Sequence, residues 1–324
     1  MKLKKRKVLI GLTYGDPTGI GPEILKQIIT SWNCKLEPII VGDVKLFSDL
    51  KSQKKIKGLL FANVSGLEKR LFKPGKPSLK SGQHSYLCLK EIAKLAKNNF
   101  IKAIVTGPVS KKHVNLSGVE FYGQTDELAR SFGISPSKVI MTFVSEDLRI
   151  SLFTRHIPLN KVSEKLNKKS LYDYVILLNS ELKKYFIKNR SPKIAILGLN
   201  PHAGENKTIG FEDDNVIKPV IKKLTSKGLS VFGPLSPDAI LANAGRTYLS
   251  DKKQPYDVYV SMYHDQALPM FKAVCGLDGV NVTLGLPVLR VSVDHGTAFD
   301  IAGKNIASPE SLRSAIELVE KIVV

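Results

Sequence analysis

The sequence is poor in cysteine and in long apolar runs. Its 324 residues include three cysteines, Cys34, Cys88 and Cys275, too few and too scattered for a disulfide framework or a cysteine metal site. We expect them to be reduced core residues. No apolar run approaches the roughly 18 residues that a membrane span needs, and Asp16 interrupts the first apolar segment before it reaches the length of a secretory leader. These absences predict a cytoplasmic protein with no membrane partner.

Acidic residues are scarce relative to basic ones. The 49 Lys and Arg against 29 Asp and Glu give a formal charge of +20. This charge indicates either a nucleic-acid surface or a lysine-rich exterior around a site for anionic ligands. Lysines such as Lys90, Lys94 and Lys97 are spread along amphipathic segments and form no stripe with aromatic residues, so we favour the second and expect no specific nucleic acid. The dense cluster at 2–7 fits a weakly binding arm or a solubilising leader equally well.

Short β-branched runs alternate with amphipathic helical stretches, without internal repeats. This pattern predicts a mainly parallel α/β fold with helices on both sheet faces. The predicted strands are 8–12, 38–41, 103–106, 139–144, 150–154, 193–197, 258–262 and 281–284. One predicted helix begins near Pro22, and two others cover 81–98 and 309–322. The length favours two domains around a cleft, predicted as 1–135 with 288–324, and 136–287, joined by crossing connections.

Three histidines fall just beyond three predicted strands. His156 follows the strand at 150–154, His202 follows 193–197, and His264 follows 258–262. Open α/β sheets bind ligands at the carboxyl ends of their strands, and three neutral imidazoles can hold a divalent metal with positions open for substrate. Their separations match no local ligand motif, so hydrogen-bonded loop or core histidines are the competing interpretation. His84 and His113 lack this placement and are interpreted as surface or capping residues.

Two small-residue segments complete the candidate site. The turn at 15–21 follows the first strand but lacks the G-x-G-x-x-G spacing of a dinucleotide fingerprint, so it is either a ligand loop or a tight strand-to-helix turn. The segment 294–304 is rich in small and polar residues, although a structural turn is an alternative there too. Both resemble loops of the isocitrate and isopropylmalate dehydrogenase superfamily, whose members bind NAD without the usual fingerprint.

Seven segments extend this resemblance to one branch of that superfamily. They are residues 15–23, 106–109, 198–205, 233–235, 262–266, 281–287 and 292–298. In their order along the chain and in their amino acids, these segments resemble the 4-hydroxythreonine-4-phosphate dehydrogenase family of pyridoxal phosphate biosynthesis. The resemblance extends over nearly the whole chain. The resemblance implies two α/β/α domains around a central cleft. It also implies oxidation of 4-phosphooxy-L-threonine with NAD or NADP, to a β-keto acid that decarboxylates to 3-amino-2-oxopropyl phosphate.

The resemblance also assigns site residues. Family members share a divalent metal across a homodimer interface through three histidines, and the matching positions are the three at the strand ends, His156, His202 and His264. Zinc, magnesium, cobalt, manganese and nickel are the candidate metals. The substrate-binding positions are Gln124, Thr125, Lys272, Asn281 and Arg290. The expected cofactor contacts are Gly15, Asp16, His295, Gly296, Thr297 and Asp300.

The roles of these residues follow from their chemistry. Arg290 and Lys272 are expected to hold the carboxylate and the phosphate of the substrate by charge-assisted hydrogen bonds, in an order that the sequence leaves open. Asp265 is expected to orient the neighbouring histidine, with a part in proton removal as the alternative. Lys272 is a second candidate general base, provided that burial lowers its pKa.

One position departs from the family pattern. Family members commonly contact the substrate through a His-Thr pair, whereas this chain has Gln124 and Thr125. Glutamine still donates and accepts hydrogen bonds, so dehydrogenase chemistry is expected to be retained. Threonate or erythronate 4-phosphate is the alternative substrate. An unphosphorylated acid such as isopropylmalate is disfavoured, because the dehydrogenases for such acids use metal-binding aspartates where this chain has histidines.

Overall fold

The structure, a computed structural model, describes residues 8–52, 59–64 and 72–324. The strands within these ranges are β1 (Leu9–Thr13), β2 (Glu37–Gly42), β3 (Leu60–Asn63), β4 (Ala103–Thr106), β5 (Ile140–Ser145), β6 (Leu148–Leu152), β7 (Ile194–Leu197), β8 (Val231–Leu235), β9 (Val258–Ser261), β10 (Val280–Leu284) and β11 (Leu289–Val293). The α-helices are α1 (Gly21–Thr30), α2 (Leu79–Lys97), α3 (Lys111–Leu116), α4 (Gln124–Ser131), α5 (Val162–Lys165), α6 (Lys168–Tyr185), α7 (Lys218–Thr225), α8 (Pro237–Leu249), α9 (His264–Cys275) and α10 (Glu310–Val323).

The chain divides into two compact units, of which the first comprises Met1–Val139 and Leu286–Val324. Its strands lie in the order β3-β2-β1-β4-β11 and are all parallel. The long helix α2 packs on this sheet, where Leu89 joins Ile39 and Ile104 in one buried cluster. Helix α10 contacts β11 and β4 and also packs against α1. The loops that follow β1, β4 and β11 therefore meet at the carboxyl edge of one parallel sheet.

The second unit is Ile140–Gly285, with strand order β10-β5-β6-β9-β7-β8. Strands β10, β5 and β6 pair antiparallel, whereas β6, β9, β7 and β8 are parallel. Leu241 of α8 and Leu268 and Phe271 of α9 pack with Tyr259 of β9 in the core. Because β6, β9 and β7 are adjacent and parallel, the segments that follow them begin at the same edge of the sheet.

The predicted α/β class is confirmed, but three strands were not predicted. Strand β8 contains Gly233 and Pro234, which disfavour a strand in the sequence, and it lies at the edge of its sheet, where proline is tolerated. Strand β3 is a four-residue edge strand. Strand β11 is fully buried, although its second residue is Arg290. Arginine is rarely buried, so its presence disfavours a buried strand in the sequence.

Two sequence-based interpretations of single residues are wrong. His84 is only 4% exposed, within α2, and is not a surface residue. Cys34 is half-buried rather than part of the core, whereas Cys88 and Cys275 are buried as expected. No helix of the described chain combines the length and the apolarity that crossing a bilayer would require. The basic cluster at 2–7 lies outside the described residues.

Candidate functional site

The second unit brings two of the three strand-end histidines into contact. His156 follows β6 and His264 opens α9 directly after β9, and their ring centroids lie 5.4 Å apart. This proximity follows from the parallel pairing of β6 with β9, in which Leu152 lies opposite Ser261. His202 follows β7, the next strand of the sheet, and lines an open cavity of about 610 Å³ together with Tyr263 and Asp265. Among the described residues, no group of three or more His, Cys, Asp or Glu side chains has a metal-binding arrangement within one chain.

Asp265 contacts one of the paired histidines. Its Oδ1 atom lies 2.6 Å from Nδ1 of His264, while 81% of the Asp265 side chain is exposed. A histidine that donates Nδ1–H to a carboxylate keeps its Nε2 lone pair for another partner. This geometry leaves the lone pair of His264 on Nε2, the nitrogen that Asp265 does not contact.

The turn that carries His202 has an unusual backbone. Within Pro201–Lys207, all six residues from His202 onward have φ between 40° and 81°. The buried carboxylate of Asp213 accepts hydrogen bonds from the backbone just before this turn, from Leu199 N at 2.9 Å and Asn200 N at 3.1 Å. A Cβ atom on Gly198 would lie 2.7 Å from Cα of Ala203, so only glycine allows the turn to fold back so closely.

Gln266 links the two strand ends that carry His202 and His264. Its Nε2 donates to the carbonyl oxygen of Gly198 at 2.7 Å, and its Oε1 accepts from the backbone N–H of Met262 at 2.7 Å. Sequence analysis missed Gln266 and Asp213 as site residues. The position of Gln266 beside the His-Asp pair was an available signal, but nothing in the sequence distinguishes Asp213 from the other acidic residues around it.

Two predicted substrate residues also lie in the second unit. Lys272 is exposed in the last turn of α9, so the burial that a general-base role would require is not provided by this unit. Asn281 is half-buried on β10, opposite Phe143 of β5.

In the first unit the glycine turn packs tightly against the loop after β4 and the loop after β11. Gly15 has φ of +77°, and a Cβ there would lie 2.0 Å from the carbonyl oxygen of Pro108. Ile20 N donates to the carbonyl oxygen of Thr297 at 3.0 Å. The structure therefore brings together the two segments that the sequence singled out as a cofactor site.

The expected cofactor residues have different environments. The carboxylate of Asp16 is buried and accepts from Thr18 N at 2.9 Å and from Thr18 Oγ1 at 2.6 Å, so it shapes the turn from within. His295 Nδ1 lies 2.9 Å from the carbonyl oxygen of Gly296, and its buried Nε2 has no hydrogen-bond partner among the described residues. A buried polar atom without a partner suits a site that a ligand completes. Gly296 and Asp300 are exposed beside it.

The other predicted substrate residues cluster at the end of β4. Gln124 opens α4 and donates from Nε2 to the carbonyl oxygen of Gly107 at 3.0 Å, which leaves its buried Oε1 without a partner among the described residues. Thr125, next to it, is buried. Arg290 donates to Thr106 Oγ1 at 2.7 Å, and burial lowers the pKa of its guanidinium to about 9. A fully buried guanidinium is costly unless an anion is brought to it, so this cluster suits an anionic ligand.

Known proteins resemble this chain over nearly its whole length. A 4-hydroxythreonine-4-phosphate dehydrogenase from Sulfurihydrogenibium sp. (strain YO3AOP1) is 36% identical over 327 residues, covering 96% of this chain and 97% of the relative. The family described as pyridoxal phosphate biosynthetic protein PdxA matches residues 21–319. The chain belongs to the PdxA family. It is thus a dehydrogenase of pyridoxal phosphate biosynthesis, and the resemblance stated from the sequence is confirmed.

Other proteins match this chain over similar lengths. A D-threonate 4-phosphate dehydrogenase from Pectobacterium atrosepticum is 32% identical over 333 residues, covering 97% of this chain and 99% of the relative. The crystal structure of 4-hydroxythreonine-4-phosphate dehydrogenase from Klebsiella pneumoniae aligns with a TM-score of 0.80 at 29% identity, covering 97% of this chain and 99% of that chain. Membership of the PdxA family implies a nicotinamide cofactor and a metal in general terms.

Proposed function

We propose that the chain oxidises 4-phosphooxy-L-threonine with NAD, or with NADP in its place. The C3 alcohol loses a hydride to the nicotinamide and a proton to a base, which gives a β-keto acid. Loss of carbon dioxide and protonation of the resulting enolate then give 3-amino-2-oxopropyl phosphate. The relatives named 4-hydroxythreonine-4-phosphate dehydrogenase support this substrate.

The pairing of His156 with His264 carries the proposal. Two imidazoles that would hold one divalent ion between them need closely spaced ring centres. The observed separation is 5.4 Å. The two rings therefore fit a shared divalent ion, and we assign His202 as the third ligand. Zinc, magnesium, cobalt, manganese and nickel remain candidates for the ion.

The bound groups and the protein have separate tasks. When bound, the ion supplies positive charge beside the reacting oxygen, and the nicotinamide ring accepts the hydride. Asp265 fixes the tautomer and the orientation of His264 through Nδ1, which supports the orienting role over direct proton removal. Lys272, exposed in α9, is the alternative proton acceptor.

Binding of the anionic substrate is assigned to the predicted substrate residues. Arg290 and Lys272 hold the two anionic groups, the carboxylate and the phosphate, through charge-assisted hydrogen bonds. Gln124, Thr125 and Asn281 orient the uncharged part. The buried guanidinium of Arg290 at the end of β4 supports this assignment, because an anion next to it favours its charged form.

The nicotinamide cofactor is assigned to the loops at the carboxyl edge of the first unit. His295, Gly296, Thr297 and Asp300 would contact it from the loop after β11. The turn containing Gly15 and Asp16 lies beside them, packed on the carbonyl oxygen of Thr297. Nε2 of His295, which has no hydrogen-bond partner in the described part of the chain, supports this placement.

A second substrate is favoured by a specific observation. The Pectobacterium atrosepticum relative is named D-threonate 4-phosphate dehydrogenase, and it is 32% identical over 97% of this chain. Threonate or erythronate 4-phosphate, in which a hydroxyl replaces the amino group, is therefore the alternative substrate. We further propose a cytoplasmic homodimer that shares each metal ion across the subunit interface.

A chelator experiment tests the function. The protein is stripped of metal, zinc, magnesium, cobalt, manganese or nickel is added back, and reduction of NAD and NADP is followed with the amino and hydroxy substrates. We expect metal-dependent turnover of 4-phosphooxy-L-threonine, its loss in His264→Ala, and its retention in His113→Ala, which removes a histidine from the first unit. Absence of metal-dependent turnover with every substrate would contradict the proposal.

A further inference from the structure

The turn Pro201–Lys207 holds five residues with side chains in a conformation that such residues rarely adopt. His202, Ala203, Glu205, Asn206 and Lys207 have φ between 40° and 75°. In this region Cβ crowds the following carbonyl oxygen, so a run of such residues persists only where the surroundings impose it. Something outside the turn must therefore hold it in place.

Asp213 contacts the chain immediately before this turn. Its carboxylate accepts three hydrogen bonds, from Leu199 N to Oδ1 at 2.9 Å, from Asn200 N to Oδ2 at 3.1 Å, and from Asn200 Nδ2 to Oδ2 at 2.9 Å. The side chain is completely buried. A carboxylate with both oxygens engaged fixes the direction in which the chain enters the turn.

The same carboxylate packs against the turn itself. Ideal Cβ atoms on Gly198 and Gly204 would lie 2.8 Å and 3.3 Å from the Asp213 carboxylate oxygens. The residue does not cap its own helical turn, Asp213–Ile217, which has no side-chain capping bond. Its hydrogen bonds are thus directed to the segment that presents His202. The hydrogen bond from Gln266 Nε2 to the carbonyl oxygen of Gly198 also holds this segment.

We infer that Asp213 is a positioning residue for His202, holding Pro201–Lys207 in its left-handed conformation and so setting where the imidazole lies. The inference rests on the proposed role of His202 as a metal ligand. Asparagine at 213 would keep one accepting oxygen but turn an NH₂ group toward a backbone N–H, so one donor would lose its partner.

Two measurements on the full-length, chelator-treated protein test this inference. Zinc affinity is measured by competition with a chromophoric chelator, and hydrogen exchange is followed in the backbone of residues 199–207 without metal. For Asp213→Asn we expect zinc binding about 10- to 100-fold weaker, as for residues that orient a ligand. Exchange in the turn should be at least about tenfold faster. The matched control is Asp214→Asn, because the neighbouring carboxylate pairs with Lys218.

A second variant tests the inference if Asp213→Asn fails to fold, as shown by the loss of a cooperative unfolding transition. Asn200→Ala removes one of the three hydrogen bonds and should change both measurements a few-fold in the same direction. Unchanged zinc affinity and exchange in the folded variants would overturn the inference, as would faster exchange without weaker zinc binding. If the unmodified protein binds no zinc or other candidate metal, the proposed metal site fails, and exchange alone decides whether Asp213 holds the turn.

Discussion

The rings of His156 and His264 lie in contact because β6 and β9 are neighbouring parallel strands that end at one edge of the sheet. Neither histidine belongs to a local metal-binding motif, and strand order alone brings them together. His202 follows the next strand, β7. We therefore predict that, in the proposed shared site, one chain supplies His156 and His264 and its partner supplies His202.

Mixing inactive variants tests this arrangement. His202→Ala and His264→Ala should each be inactive alone. In a mixed dimer of the two, one site carries both substitutions and the other carries none, so refolding them together should restore about one quarter of the activity for random pairing. Turnover of NAD after mixing measures the recovery.

The matched control combines variants of the two paired histidines. His156→Ala and His264→Ala leave every site of a mixed dimer with one ligand missing, so no activity should return. Recovery in this control, or none when the His202 and His264 variants are mixed, would contradict the proposed division of ligands between chains.

Periodicity and strand-end placement predicted much of the fold. The predicted strand at 103–106 coincides with Ala103–Thr106, and the predicted helix at 81–98 overlaps Leu79–Lys97. The class was predictable because buried parallel strands and amphipathic helices have distinct periods. Three strands were missed because their sequences do not show the apolar pattern of a strand. Strand β3 is short and lies at an edge, β8 contains a Gly-Pro pair, and β11 contains a buried arginine.

The side-chain network of the site could not be predicted in the same way. Asp213 acts on Leu199 and Asn200 through space, and Gln266 joins two loops whose proximity depends on the order of β9 and β7. Neither set of hydrogen bonds can be predicted from the spacing of these residues along the sequence. The histidines at the strand ends were identifiable because a strand end is a local feature, whereas the hydrogen bonds that hold them are not.

Asp265 should act on the metal site through His264. Asp265→Asn keeps an oxygen for Nδ1–H but removes the charge that strengthens this bond, so we expect kcat to fall about 10- to 100-fold with weaker zinc binding. The shape of the pH profile of kcat should be retained. Steady-state kinetics between pH 6 and 9 (roughly the range over which a perturbed base titrates) and chelator competition provide the measurements.

The control for this substitution is Asp278→Asn, which changes an exposed carboxylate just beyond the same helix. It should leave kcat and zinc binding unchanged. Loss of one limb of the pH profile in Asp265→Asn, with zinc binding intact, would instead indicate proton removal by Asp265 and contradict the orienting role.

Gln124 should influence the choice between amino and hydroxy substrates. One N–H of its NH₂ group donates to Gly107, and its buried Oε1 has no partner among the described residues, so this oxygen can accept from a charged ammonium, a stronger donor than a hydroxyl. Gln124→His replaces this fixed acceptor with a ring that changes tautomer. We expect the ratio of kcat/KM for 4-phosphooxy-L-threonine to that for threonate 4-phosphate to fall about tenfold. Gln27→His, on α1, should not change it, and equal ratios in all three proteins would contradict a role in selectivity.

His84 should make the stability of the protein depend on pH. Burial lowers its pKa from 6.5 to about 4. The Tyr14 hydroxyl oxygen accepts from Asp43 N at 2.8 Å and lies 2.6 Å from Nε2 of His84, to which the hydroxyl donates when the neutral ring carries its proton on Nδ1. The unfolded chain therefore binds a proton between pH 6.5 and 4 that the folded chain does not, and stability falls as pH drops through this window.

The expected loss from this group between pH 7.5 and pH 5 is about 2 kcal/mol, measured by urea unfolding at both values. His84→Gln should be less stable at pH 7.5, because it leaves the Tyr14 hydroxyl poorly paired, but its unfolding free energy should fall less on acidification. His113→Gln, which replaces a half-buried histidine of the same unit, should keep the full decrease. An identical decrease in His84→Gln and the unmodified protein would show that His84 is already protonated in the fold, and that the bond from Tyr14 does not hold it neutral.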